Sequence, residues 1–156
     1  MPKKKRKQFK RLRKSLFGKE TFQPHLMLGG YTLQEAYNKV DKLQTDFAKD
    51  LSIGISNKRI KRYQTLIVRS LASRIVAVHR VIRNKGYRSK GLGKQPKTNA
   101  QYQKIVEELR EVVRCPKKYK ATPLQRIMLE KPNKPGEFRP ISIPTIFDRC
   151  VQALYH

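Results

Sequence analysis

No run of apolar residues in this chain approaches the roughly 18–20 needed to cross a bilayer, so no membrane-spanning helix is expected from it. Cysteine is scarce. Cys115 and Cys150 stand alone, without the paired spacing of a zinc site. The histidines His25, His79 and His156 are equally scattered, so no metal site is predicted and both thiols are read as reduced. The basic N-terminus is not followed by an apolar segment, so no secretory leader is expected. Acidic residues are the most telling shortage: 11 Asp and Glu face 37 Lys and Arg, a formal net charge of +26 at pH 7. A field of that sign repels basic partners and attracts polyanions, so RNA, DNA or an anionic surface is implied, with a membrane the weaker choice. With 38% hydrophobic and 31% charged residues in 156 positions, the chain has material for one modest domain or part of a larger one.

Residues 1–19 contain ten Lys or Arg and no Asp or Glu, a block that repels itself until a polyanion neutralises it. Lys3, Lys4, Lys5, Arg6, Lys7, Arg11 and Arg13 are therefore candidate phosphate contacts. The run Pro2-Lys3-Lys4-Lys5-Arg6-Lys7 also has the form of a nuclear-import address, although in so basic a chain it reads more readily as an arm laid along phosphates. After Pro24 and the Gly29-Gly30 pair, Thr32 and Glu35 form a capping box that opens a helix. Leu33, Ala36, Val40, Leu43, Phe47 and Leu51 place one apolar stripe along it, and Gly54 ends it.

A second helix is predicted from Ser56 or Asn57 to about Asn84, closed by Lys85-Gly86. At about 100° per residue, Ile60, Ile67, Leu71, Ile75, Val78 and Ile82 gather on one face. Arg62, Arg69, Arg80 and Arg83 gather on another, and Arg59 and Arg88 lie at its two ends. From Leu51 to Val106 there are 14 Lys or Arg and no acidic residue. A solvated helix face intersperses both signs, because like charges at i,i+4 repel. A face of one sign points instead to phosphates, and arginine suits bidentate contact with them. Tyr63 and Tyr87 are candidates for stacking on unpaired bases, and Tyr63, close to the apolar face, is read first as a packing residue.

Residues 85–97, with three glycines, read as a flexible basic loop without the spacing of a nucleotide-binding loop. Thr98 and Gln101 cap a third helix that buries Ile105, Val106, Leu109, Val112 and Val113 and stops at Pro116. A strand at Arg126 to Leu129, a turn at Pro132 to Gly136 and a strand at Phe138 to Ile143 then form a hairpin, with Lys131 and Arg139 facing each other across the turn. Thr145 and Asp148 open a last helix in which Ile146, Val151 and Leu154 face inward. Two strands alone are marginal in water, so the hairpin needs the helices or a partner against it. The predicted class is α+β, mostly helical and then a short antiparallel hairpin and a helix start. It divides into an arm (1–30), a helical part (31–115) and a hairpin part (116–156).

Tyr119, Pro123, Arg126 and Lys131-Pro132, followed by Arg139-Pro140-Ile141, Ile143-Pro144-Thr145, Asp148-Arg149 and Gln152, fall in one continuous pattern. Together with the basic helices around residues 69–86, it resembles the opening of group II intron reverse transcriptases, the intron maturases, over roughly residues 56–156. The resemblance implies an incomplete set of reverse transcriptase fingers that binds a group II intron RNA and favours its spliceable fold. It implies that Lys131 and Arg139 present cations to a nucleotide triphosphate, with a basic hairpin touching RNA backbone or solvent as the simpler use. Asp148 is read as a capping residue. The chain departs from the family at Ser89-Lys90-Gly91-Leu92-Gly93, where an acidic residue is missing, and at Glu130.

No Tyr-x-Asp-Asp carboxylate motif occurs, so no catalytic residue and no cofactor are expected in this chain. Mg2+ would enter only with a second polypeptide that supplies the carboxylates. Two other roles stay open: a structural RNA-binding protein of an organellar ribosome, and one subunit of a split reverse transcriptase. The expected compartment is a chloroplast, a mitochondrion or a bacterial cytoplasm, with the nucleus open because of residues 2–7.

Overall fold

Two local capping boxes set the frame of the molecule. The computed structural model describes residues 28–156. Lys3, Lys4, Lys5, Arg6, Lys7, Arg11, Arg13 and Pro24 lie outside the described residues. Helix α1 spans Leu33–Ser52, with Thr32 Oγ1 accepting from the Glu35 amide and the Glu35 carboxylate accepting from the Thr32 amide at 2.8 Å. Ahead of it Gly29 and Gly30, both with positive φ, turn the chain so that Leu28 enters the core. The same box, Thr98 with Gln101, starts α4 over Asn99–Arg114. Pro116 follows one residue after α4 ends, because it can neither donate to the last turn nor continue it.

The long second helix of the sequence reading is two helices. Helix α2 covers Asn57–Arg69 and α3 covers Leu71–Arg83, with Ser70 extended between them at φ −60° and ψ 135°. Their burial explains the break. No residue of α2 is fully buried, whereas α3 buries Ala72 through Val78 and Val81. The break at Ser70 separates a surface helix from a core helix. Helix α3 packs against α1, α2, α4 and, at the far end of the chain, α5 (Ile146–Tyr155). Ile146, Cys150, Val151 and Leu154 of α5 share one core with Ala36, Val40, Ile75, Val78, Val106 and Leu109. Leu51, placed on the α1 stripe by its spacing, is 49% exposed and stays outside that core.

Strands β1 (Gln125–Lys131) and β2 (Lys134–Ile143) form an antiparallel hairpin, two strands among the described residues. The result is the expected α+β arrangement of a helical part, a two-stranded hairpin and a helix. The register pairs Ile127 with Ile141 and Leu129 with Arg139, and it shifts between Glu130 and Lys131. Lys131 therefore sits opposite Lys134, and it is not the cross-strand partner of Arg139. Direct facing fails because the ladder pairs Arg139 with Leu129, two residues before Lys131.

Residues 85–97 are pinned and not free. A short 3-10 turn, Lys85–Arg88, is capped by Asn84, whose side chain accepts from the Gly86 amide at 3.1 Å. Gly91, at φ +67°, lies so close to the end of β2 that an added Cβ would stand 2.8 Å from the Pro144 carbonyl oxygen. Gly91→Ala combines a disfavoured φ with that backbone clash, and it should destabilise the fold by about 1–3 kcal/mol. Denaturant unfolding reads it out; an unchanged midpoint would show that the loop does not depend on this approach.

Candidate nucleic-acid interface

The exposed arginines proposed as phosphate contacts arise from two helices and the turn after them. Arg59, Arg62 and Arg69 are exposed on α2, Arg80 and Arg83 on the second half of α3, and Arg88 at the end of the 3-10 turn. Because Ser70 breaks the rod, Arg62 and Arg69 do not continue as a single stripe into Arg80 and Arg83. The fold still joins Arg69 to Arg80. Both line a groove of about 600 Å³ between α1, α2, α3 and the C-terminal end of α5. Among the described residues, Arg62, Arg69, Arg80, Arg83 and Arg88 have no ion-pair partner within 4 Å. Arg59 differs, since its Nη2 lies 2.8 Å from Asp50 Oδ2.

Asp50 is also the acceptor for Tyr63, whose hydroxyl donates at 2.7 Å while its ring packs on Phe47 at 5.3 Å. That hydrogen bond to a carboxylate, with burial and the Asp50 charge behind it, raises the Tyr63 phenol above its ordinary value. Tyr63 thus ties α1 to α2. Tyr87 is also committed inward: its hydroxyl donates to the Pro96 carbonyl and meets the Tyr102 hydroxyl at 3.3 Å. Burial, then the contact with Tyr102, pushes its phenol well up. These geometries favour packing over base stacking for both rings.

Two side chains from the start of α5 tie it to other segments of the chain. Asp148, 3% exposed, accepts from the Thr145 hydroxyl at 2.6 Å, from the Tyr119 hydroxyl and from the Thr122 amide at 3.4 Å. Burial alone would raise its carboxyl, but these donors outweigh burial and hold it below its ordinary value. Tyr119 is the mirror image, pushed up to about 12 by burial and by its bond to Asp148. Asp148 is a capping and cross-linking residue. Arg149 next to it donates to three carbonyls: Gly86 at 2.6 Å, Ser89, and Pro144 at 3.0–3.1 Å. This guanidinium staples the loop after α3 to the start of α5. Neither Arg149 nor the buried Arg74, which donates to the Val106 carbonyl at 2.8 Å, carries a local signature of its task. The partners of Arg149 lie 60 and 63 residues upstream.

His79 on α3 meets the Tyr37 hydroxyl at 2.9 Å, and burial followed by the nearby Arg83 charge holds its imidazole below 6.5. The unfolded chain then binds the proton more readily than the folded one. Stability from this site is full above pH 6.5 and falls as pH drops through the folded value. His79→Gln should flatten the slope of stability against pH between pH 7 and 5, a change visible in unfolding midpoints. An equal slope in both proteins would exclude His79 as its source.

At the hairpin, Lys131 Nζ lies 2.6 Å from Glu137 Oε2, and Lys134 reaches the other oxygen at 3.7 Å. Glu130 accepts from the Gly136 amide at 2.9 Å. Lys131 is thus partly neutralised, while Arg139 has no acidic partner among the described residues. Among these residues, no three His, Cys, Asp or Glu side chains gather as a metal site, and no helix is long and apolar enough to cross a membrane. Cys150 is free and buried, its thiol pushed up to about 12 mainly by that burial, which leaves it unreactive.

A basic helical unit carrying an appended hairpin is the class these features define. The family model described as the N-terminal domain of reverse transcriptase matches residues 32–109, from the cap of α1 into α4. That is half of the chain, and the chain belongs to this family. The match ends before the hairpin and α5. Comparison with curated proteins finds no match.

Proposed function

We propose that this reverse transcriptase N-terminal domain binds RNA, most specifically a group II intron, and assists its folding and splicing in the manner of a maturase. The observation that carries this reading is the one-signed surface of α2, α3 and the following turn, whose exposed arginines other than Arg59 are free of acidic partners among the described residues. Such cations repel one another and gain most from phosphates. The sequence pattern from Tyr119 to Gln152 supports the intron as the target.

In this reading Arg62, Arg69, Arg80, Arg83 and Arg88 contact the backbone, with Arg59 contributing less because Asp50 holds it. Lys131 and Arg139 serve as hairpin contacts to RNA or phosphate. Addition of the protein to a group II intron transcript from its own cell should lower the Mg2+ concentration needed for splicing. Splicing with the same Mg2+ requirement, with and without saturating protein, would refute the maturase role.

A second polypeptide as partner is supported separately by the hairpin. Met128 is 56% and Phe138 54% exposed on one face, and Leu129 is 41% exposed on the other. A two-stranded sheet with apolar groups exposed on both faces favours association with further structure. Catalytic carboxylates and their Mg2+ would then come from that partner. Co-purification of a polypeptide carrying Tyr-x-Asp-Asp would support this arrangement, whereas purification of this chain with ribosomal subunits would favour the ribosomal role.

A further inference from the structure

We propose that the groove between α1, α2, α3 and the end of α5 receives a single unstacked RNA base, an inference that rests on the RNA-binding reading above. Its volume of about 600 Å³ lies within the roughly 300–1,000 Å³ of small-ligand sites. Phe47 and Val68 are half-buried in its walls, and Val76 is buried beneath them. Arg69 and Arg80 are exposed along it and have no acidic partner among the described residues. Ser73 is the independent sign of a missing ligand. It is 7% exposed, it lines the groove, and its Oγ is buried without a hydrogen-bond partner among the described residues.

These groups fit the chemistry of a nucleotide at each level. A base is flat and apolar on its faces, which suits Phe47 and the valines, and it carries donors and acceptors on its edge. The Ser73 hydroxyl can act as either, and so can the Gln64 side-chain amide that also lines the groove. The flanking phosphates fall to Arg69 and Arg80, since guanidinium pairs with phosphate oxygens and also stacks on a base. An acidic amphipathic peptide would satisfy the arginines, but it would leave Ser73 without a partner unless a polar side chain entered beside it. Single-stranded RNA is read through such splayed bases.

The test compares a short random-sequence RNA with an abasic ribose-phosphate strand of the same length and charge. The pocket predicts about tenfold tighter binding of the RNA that carries bases. Thr65 is exposed and lines the groove, so Thr65→Met narrows it without disturbing the core. That variant should bind the intact RNA as weakly as the abasic strand and leave abasic binding unchanged. Equal affinity of the two strands for the unmodified protein would overturn the pocket, keep the backbone contacts, and leave the groove to a protein segment. A preference for bases that survives Thr65→Met would likewise place base contacts elsewhere. Failure of both strands to bind would remove the RNA-binding reading and the pocket with it.

Discussion

Replacing Arg62, Arg69, Arg80 and Arg83 together with glutamine is expected to weaken RNA binding by at least about 100-fold near physiological salt. Each arginine that neutralises a phosphate releases condensed counterions, so the affinity falls with salt at a slope of about −0.7 per contact on single strands. Loss of four contacts should therefore reduce the magnitude of that slope by about 3. The four side chains are exposed and lack acidic partners among the described residues, so the fold should not suffer. The unfolding midpoint serves as the control. Fluorescence titration at several salt concentrations gives affinity and slope together. A variant with the parent's slope would show that RNA, if bound, sits on another surface. Glutamine at Arg59 should have the smaller effect, because Asp50 already holds that guanidinium.

Asp148→Asn is expected to cost about 2–4 kcal/mol of stability at neutral pH, from the loss of charge-assisted hydrogen bonds. The carboxylate accepts from Thr145, Tyr119 and Thr122, three donors from two parts of the chain. An amide offers one acceptor oxygen and turns an NH2 toward a donor, so at least one hydroxyl loses its partner in a buried place. The pH dependence gives the sign. The folded carboxyl titrates below its ordinary value of 3.8, so its contribution is complete above that value and disappears as pH falls through the folded one. Parent and variant should differ most near neutrality and converge in strong acid. Equal stability at pH 7 would mean that the network contributes little. The pattern also separates a structural carboxylate from a chemical one, since the defect appears in unfolding without any substrate.

What was legible in the sequence follows the range of the interactions. Thr32 with Glu35 and Thr98 with Gln101 act within one turn, and both boxes start helices where their spacing places them. The hairpin was legible because the Pro132–Gly136 stretch punctuates two β-rich runs, although the strands extend further into it than the prolines suggest. The break at Ser70 was not legible. Serine is an ordinary helix-start residue, but no glycine or proline marks the site and its hydroxyl makes no capping bond. The break follows from the burial of α3, which only the tertiary arrangement defines.

Among the site residues, the exposure of Arg62, Arg69, Arg80 and Arg83 was foreseeable, since charged positions alternate with the apolar stripe. Their distribution over two helices was not. The Asp50 contact that occupies Arg59, the inward hydroxyl of Tyr87 and the three carbonyls held by Arg149 all depend on residues distant in sequence or on another element. Ser73 lies among small apolar residues and looks like helix filler until the groove beside it is seen. The pinned loop depends on Gly91, whose value lies in the missing Cβ.

The central proposal, RNA binding directed at an intron, is tested most directly by crosslinking the chain to RNA in its own cell and sequencing what it holds. The account predicts reads concentrated on one group II intron, with crosslinked peptides from α2, α3 and the turn that follows. Reads confined to ribosomal RNA, or no RNA above the level of an unrelated basic protein, would contradict it.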